Sequence, residues 1–295
     1  MANIEHVLLA KGEIGFDEIR EDVAWGSYCD LPAMNPSTLV HGLIAADPWA
    51  TSMKHLRYSW ESPRKDTPAL LWGRAVHCLL FEPDQFEARY VEWSGGKRYG
   101  NRWDTFQADC NEKDQEILTS EQWTSAIFAA QGFVGEPLVQ ELISKGKPEV
   151  TVLCTEDGIQ CRGRIDWIQE GTAIVDLKTT RNIQAGKFGR DFCSFRYDIK
   201  LAMYRRWLRK LTDRDWPVKC IALENKGPYD IAVVPVDSAI LDQGEEKGVR
   251  LLGELKEAIL TGRWLGVAKG EPYYLDFPVY EMMTEDIDLT GVEVE

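Results

Sequence analysis

The chain is predicted to be an α/β protein, a mixed central β-sheet flanked by helices, and three observations predict it. Residues 149–178 hold three strand-like runs parted by two tight turns, Glu156-Asp157-Gly158 and Gln169-Glu170-Gly171, the pattern of an antiparallel meander. Two further strand-like runs, 218–224 and 229–236, are joined around Asn225-Lys226-Gly227-Pro228. Helical spacing of apolar residues before and after these runs, over 69–81 and 238–264, supplies the covering layers. With 295 residues, 44% of them hydrophobic and 11% aromatic, the chain can bury a sizeable core.

In order, residues 1–35 show weak periodicity and form a lead-in. Ser37 reads as the N-cap of a helix over 38–46 that Asp47-Pro48 ends. Residues 63–68 are a polar connection, and the helix over 69–81 stops at Glu82-Pro83. That helix carries His77 one turn after Gly73 and Arg74, on a shared face. Residues 94–106 read as a glycine-rich loop, and 105–145 as two or three helices broken near Gly132-Phe133 and Gly135-Glu136-Pro137. After the meander a helix over 195–211 buries Ile199, Ala202, Met203 and Trp207 on one face. Leu241, Val249, Leu252, Leu255 and Ile259 form the apolar stripe of the helix over 238–264, and 281–295 is an acidic tail with six carboxylates and no base. No linker divides the chain, so 1–295 is expected to be a single domain: lead-in 1–35, mainly helical 36–147, sheet and basic helix 148–236, helix and connection 237–280, tail 281–295.

No apolar run approaches the roughly 20 residues that span a bilayer, and the N-terminus lacks the basic-then-apolar order of a signal peptide, so a cytoplasmic protein without membrane contact is expected. Seven cysteines without a C-x-x-C pair suit reduced thiols, and Cys154 and Cys161 read as packing residues. No phosphate-cradling G-x-x-x-x-G-K-[ST] loop occurs, which leaves no ATP motor. The net charge of −14 argues at first against a nucleic-acid partner. Its distribution is uneven: residues 178–214 hold eleven Lys/Arg against three Asp, a local balance of +8 that leaves −22 elsewhere. The basic strip suits a phosphate backbone, although a solvated helix face would look the same.

The chemistry concentrates in residues 162–180, R-G-R-I-D-W-I-Q-E-G-T-A-I-V-D-L-K-T-T. Side chains alternate along a strand, so Asp176 and Lys178 share one face while Ala173, Val175 and Leu177 take the other. Arg162, Arg164 and Asp166 share a face of the preceding strand, and pairing across the turn brings the two aspartates and the lysine together. Hydrolysis of a phosphodiester needs an activated water, neutralised phosphate charge and help for the leaving oxygen, all of which carboxylate-held divalent metals supply. Asp166 and Asp176 are hard oxygen donors suited to Mg²⁺ or Mn²⁺, with the Leu177 carbonyl beside them, and Lys178 can orient or deprotonate the water. D-x-K alone is more often a surface ion pair; the apolar strand leading into it, and Asp166 ten residues earlier, favour the chemical reading.

These residues resemble the PD-(D/E)XK nuclease superfamily, and within it the RecB-like group that includes the RecE-type phage exonucleases. The resemblance rests on G-R-A-V-H-C-L-L-F-E-P (residues 73–83), Glu149, R-I-D (164–166), V-D-L-K-T-T (175–180) and Y-D-I-K-L-A-M-Y (197–204), in the family's order. It implies that His77, Asp166, Asp176 and the Leu177 carbonyl bind Mg²⁺, that Lys178 is the catalytic lysine, and that Glu149 supports a second metal or the water. His77 on its own would read as an ordinary helix histidine. Two positions depart from the pattern: Ile165 replaces a proline before Asp166, and Lys200 stands where glutamine is usual.

The resemblance further implies an ATP-independent exodeoxyribonuclease of phage or prophage origin, working in a bacterial host. It would digest the 5′-ended strand at double-stranded DNA ends and leave a 3′ tail for a single-strand annealing protein, as a ring-shaped homo-oligomer. Candidate DNA contacts are Arg164, Arg181, Lys200, Tyr204, Arg205 and Arg206, with Arg98, Arg102 and Trp103 of the 94–106 loop, where rings could stack on an unpaired base; that loop could equally fold over its own aromatics. Two other functions fit the same fold: an endonuclease or single-strand exonuclease, and a catalytically silent DNA-binding or scaffolding module. A scaffold would have no reason to hold Asp166, Asp176 and Lys178 together on a buried strand.

Overall fold

The structure is a computed structural model that describes residues 3–10, 13, 15–43, 52–62, 66–270 and 272. The chain opens with β1 (Glu18–Arg20), α1 (Trp25–Asp30), α2 (Pro36–Leu39) and α3 (Met53–Glu61). Next come α4 (Pro68–Phe81), α5 (Phe86–Arg89), β2 (Tyr90–Trp93), α6 (Asn101–Glu112), β3 (Glu116–Thr119), α7 (Ser120–Gly135) and α8 (Pro137–Ile143). The meander is β4 (Gly146–Glu156), β5 (Ile159–Gln169) and β6 (Ala173–Thr180). It is followed by α9 (Ala185–Ser194), α10 (Tyr197–Thr212), β7 (Val218–Glu224), β8 (Ile231–Pro235) and α11 (Ser238–Thr261).

Six strands form one sheet in the order β1-β4-β5-β6-β7-β8, antiparallel throughout except for the parallel pair β6 and β7. That pair needs a crossover, which α9 and α10 provide. The mixed sheet flanked by helices agrees with the expected fold class.

The strands alternate faces, and each face carries its own layer. Val175 and Leu177 of β6, with Ile221 and Leu223 of β7, bury against Trp72, Val76 and Phe81 of α4 and Ala126 and Phe133 of α7. Val152, Ile165, Ile174 and Cys220 bury on the other face against Ile199, Met203 and Trp207 of α10 and Leu252 and Leu255 of α11. Each fully buried aliphatic side chain here, such as Ile174 or Leu201, contributes about 1.5–3 kcal/mol. α10 packs closely on the sheet at Gly163, where a Cβ would run into the rings of Tyr204 and Trp207.

Local sequence explains the helix that matters most for function. Thr67 caps α4, its Oγ1 accepting from Leu70 N at 3.2 Å, and Pro68 occupies the first helical position, where its missing N–H costs nothing. The same helix holds a two-stranded parallel sheet of β2 and β3 through Arg74, which pairs with Glu116 of β3 and with Asp66.

Several expectations are corrected. Asn35, not Ser37, caps α2, because its Oδ1 accepts from Thr38 N at 2.9 Å with Pro36 following; that helix ends at Leu39 and continues as a 3-10 turn over Val40–Gly42. Residues 44–46, Asp47-Pro48, Pro63 and the 281–295 tail lie outside the described residues. The expected 94–106 loop becomes helix α6 from Asn101, and α7 runs through Gly132 without a break. The lead-in supplies an edge strand and a helix, and the segment after β6 forms α9. Among the described residues, no helix is long and apolar enough to cross a membrane.

Candidate functional site

The site lies where two strands part. β5 pairs with β6 only through Trp167–Val175, Ile168–Ile174 and Gln169–Ala173, after which β6 continues beside β7 to Thr180. Asp166 and Asp176 occupy the first unpaired rung of this fork. Leu177 N donates to Asp166 Oδ2 at 2.9 Å, so the carboxylate takes the place of the missing ladder bond.

On the other edge of β5, the β4–β5 ladder runs from Gly146–Gln169 to Glu156–Ile159 and skips one rung, Glu149 opposite Asp166. Glu149 has a φ of +54°, in the left-handed region that costs a non-glycine residue of order 1–3 kcal/mol. The strained residue is the one whose carboxylate reaches α4. There the His77 ring bridges two acids, with Nδ1 3.2 Å from Glu149 Oε1 and Nε2 3.3 Å from Asp166 Oδ1. Arg164 Nε holds the other Glu149 oxygen, and Lys178 Nζ rests on Asp176 Oδ2. The five residues expected to carry chemistry, His77, Glu149, Asp166, Asp176 and Lys178, are thus brought to one place.

Their charges are interdependent. Burial, then repulsion from Asp166, pushes Asp176 up to about 6 despite Lys178 beside it; the residue is 3% exposed. Burial would raise Asp166 too, but the charge and hydrogen bond of His77, with help from Lys178 and the Leu177 N–H, hold it below the ordinary carboxylate value. For His77, burial is outweighed by Asp166 and Glu149, which raise it to about 9. Lys178 is likewise held above an ordinary lysine, because Asp176 and Asp166 overcome the effect of burial. The cluster rests as two cations threaded among three acids.

Among the described residues, no group of three or more His, Cys, Asp or Glu side chains stands in a closed metal-ligating arrangement. The oxygens that could ligate are instead turned to His77 and Lys178. The donor set nevertheless fits a hard divalent cation: the buried Asp176 carboxylate, the half-buried Asp166 carboxylate and the adjacent Leu177 carbonyl, with Asp176 ionising reluctantly in a way that a cation would relieve. His77 as placed is a charge partner; ligation requires its neutral ring.

The expected DNA contacts fare unevenly. Arg205 is 7% exposed, and its donors go to Asp215 and Asp242, both at 2.8 Å; a phosphate contact there is withdrawn. Arg206 spends its donors on Glu156 and Glu245, and Arg209 also binds Glu245, so much of the basic strip ties α10 to β4 and α11. Trp103 is buried with its ring centroid 5.2 Å from that of Trp93 and Arg98 over it, which removes it as a stacking surface. Tyr204 is half-buried over Gly163. Arg164 is committed to Glu149 and to Val23 O at 2.7 Å. Arg181 and Arg102 are exposed, and Lys200 lies 5.1 Å from the Tyr197 ring.

Tyr197, whose 197–204 stretch resembles the family motif but which has no expected role of its own, places its ring centre 4.8 Å from Lys178 Nζ, and the unexpected α1 aromatics Trp25 and Tyr28 flank Arg164. The W-G-S-Y spacing of the α1 pair was the available signal, too short to stand out in an aperiodic lead-in.

A family model described as a PDDEXK-like domain of unknown function (DUF3799) matches residues 47–267. Among solved structures, the chain is similar to a protein from Eubacterium rectale titled "Putative exonuclease", with a TM-score of 0.59 at 14% identity over 90% of this chain and 100% of that one. At that identity the likeness shows the fold. A second structure, SSO0001, aligns over 68% of this chain and 80% of its own at 14% identity, and its TM-score of 0.27 carries no argument. No curated protein matches the chain.

Proposed function

The chain belongs to the PDDEXK-like family DUF3799, and we propose that it is a divalent-metal-dependent, ATP-independent exodeoxyribonuclease acting on the ends of linear duplex DNA. The observation that carries this reading is the convergence of His77, Glu149, Asp166, Asp176 and Lys178 at the β5–β6 fork. A non-catalytic protein would gain nothing from burying opposed charges there at the cost of a strained Glu149.

Mg²⁺, with Mn²⁺ as a substitute, would be held by Asp166, Asp176 and the Leu177 carbonyl, with His77 and Glu149 as further donors, and would supply water activation and charge neutralisation at the phosphate. Lys178 rests protonated, so its first role is to donate to a phosphate oxygen or to hold the attacking water. Asp166, tied to Leu177 N, fixes the separation of the two strands at the fork. Arg164 holds Glu149 against the strained backbone and so keeps its free oxygen toward His77. His77 must lose its proton to become a ligand, and a bound dication beside it would lower its affinity for that proton.

Digestion of the 5′-ended strand, a 3′ tail passed to a single-strand annealing protein, and a ring-shaped homo-oligomer complete the proposal; these rest on the resemblance to RecE-type exonucleases. The test is digestion of linear duplexes labelled at either end, with and without a 5′ phosphate, in Mg²⁺ and in EDTA. The 5′ label is expected to be released first and only in Mg²⁺. Asp176→Asn and Lys178→Ala are each expected to lower the rate at least ~100-fold. Digestion by either variant at the wild-type rate would sink the assignment, and release of the 3′ label first would reverse the polarity.

A further inference from the structure

We propose that Trp25 is a stacking platform for one unpaired nucleobase of the DNA strand held at the fork; the inference rests on the DNA-cleaving reading above. α1 is six residues long and gives the core only Tyr28. It is nonetheless held firmly. Arg162, 8% exposed, directs one guanidinium nitrogen to the carbonyls of Tyr28, Cys29 (2.8 Å) and Leu31 (2.9 Å), capping the end of the helix. Arg164 donates to Val23 O just before it. Both arginines come from β5, the strand that carries Asp166, so the helix is fastened to the site's own scaffold.

What this anchoring presents is an indole 53% exposed to solvent. Trp25 stacks on Tyr28 with centroids 5.6 Å apart and planes 25° apart, and the Arg164 guanidinium lies 5.6 Å from the Trp25 ring. Through Arg164 the platform is one residue from Glu149, and through Glu149 two from His77. Ala24, Gly26 and Ser27, its neighbours in the chain, are exposed and small. A single open ring amid small side chains is too little apolar surface for a protein interface and the right size for one base. Every base offers a π-face, so such a platform holds a strand without choosing its sequence, as a nuclease working through arbitrary DNA requires.

The test is an abasic scan. A duplex with a short unpaired tail is made with the base removed at one position at a time, through the tail and the terminal pairs, and its affinity is measured in EDTA for the wild type, Trp25→Ala and Trp25→Phe. Base–aromatic stacking predicts that at one position base removal weakens wild-type binding about 5- to 150-fold. Trp25→Ala should bind intact DNA correspondingly weakly and show no further loss at that position, whereas Trp25→Phe should keep most of the coupling. If wild type binds DNA but responds evenly along the strand, or Trp25→Ala binds as wild type does, the platform is wrong and the nuclease reading stands. If wild type binds none of the DNAs in EDTA, the platform falls, and the nuclease reading is judged separately by digestion in Mg²⁺. Should Trp25→Ala not fold, the wild-type scan decides alone, an even response overturning the proposal.

Discussion

Lys178 sets its ammonium against the Asp176 carboxylate and 4.8 Å from the centre of the Tyr197 ring, so one cation is shared between an acid of its own strand and an aromatic face of α10. The ring closes off the direction in which the flexible lysine stem could swing away from the fork. Tyr197→Phe is expected to retain activity within about twofold, since the ring face is what the cation meets. Tyr197→Leu is expected to lower kcat about 3- to 30-fold with little change in KM, as a desolvated cation–π contact of up to about 2 kcal/mol predicts. Steady-state digestion rates of the two variants check this, and equal rates would separate Tyr197 from the chemistry.

The arginines of α10 predict a stability effect where a basic strip would predict a binding effect. Arg205→Ala should cost about 1–2 kcal/mol, because Asp215 and Asp242, with side chains 58% and 62% exposed, can be rehydrated once the buried guanidinium is gone. The pair also titrates. The hydrogen bond from Arg205, which outweighs partial burial, holds Asp215 below the ordinary carboxylate value of about 3.9. Its contribution is therefore present above that value and lost as pH falls through the lower folded one. Urea midpoints of wild type and Asp215→Asn should differ at pH 7 and converge as the pH falls below the ordinary carboxylate range, while affinity for DNA at neutral pH stays unchanged.

Two glycines of α11 should respond with opposite signs. At Gly244 a Cβ would overlap the Asp198 carbonyl of α10, so Gly244→Ala is expected to force the helices apart and destabilise by about 1–3 kcal/mol. At Gly253 nothing lies within 4 Å, and Gly253→Ala should stabilise by about 0.5–1 kcal/mol through helix propensity alone. Thermal unfolding of the two variants measures both signs at once.

The meander and the acids of the fork were legible because they violate a local rule: Asp176 and Lys178 interrupt an apolar strand, and Asp166 stands ten residues earlier, across the single turn that closes the hairpin. β7 was found to the residue because its apolar run is bounded by Pro217 and Asn225. What escaped depends on partners distant in the chain. α1 and β1 are held by Arg162, Arg164 and β4, which lie more than a hundred residues later, so their own sequence carries little periodic signal. The role of the α10 arginines escaped for the same reason: which of them face solvent is set by where Asp242 and Glu245 of α11 come to rest, and charge counting along one segment cannot see the acids supplied by another. The rotation of Glu149 is a backbone property, and nothing in a glutamate marks a left-handed φ in advance.

The mutual neutralisation of α10 and α11 bears on how the protein meets its surroundings. With those guanidiniums already satisfied from within, a molecule of net charge −14 offers polyanions no long-range attraction, and within a Debye length of about 8 Å, beyond which its field is screened, its net charge repels them. Idle copies would then not be titrated away along the great excess of uninterrupted chromosome. On the proposed exonuclease reading, residence would begin only where a strand terminus can be brought directly into the parting of β5 and β6, and scarcity of ends, rather than abundance of DNA, would be the quantity to which the protein responds.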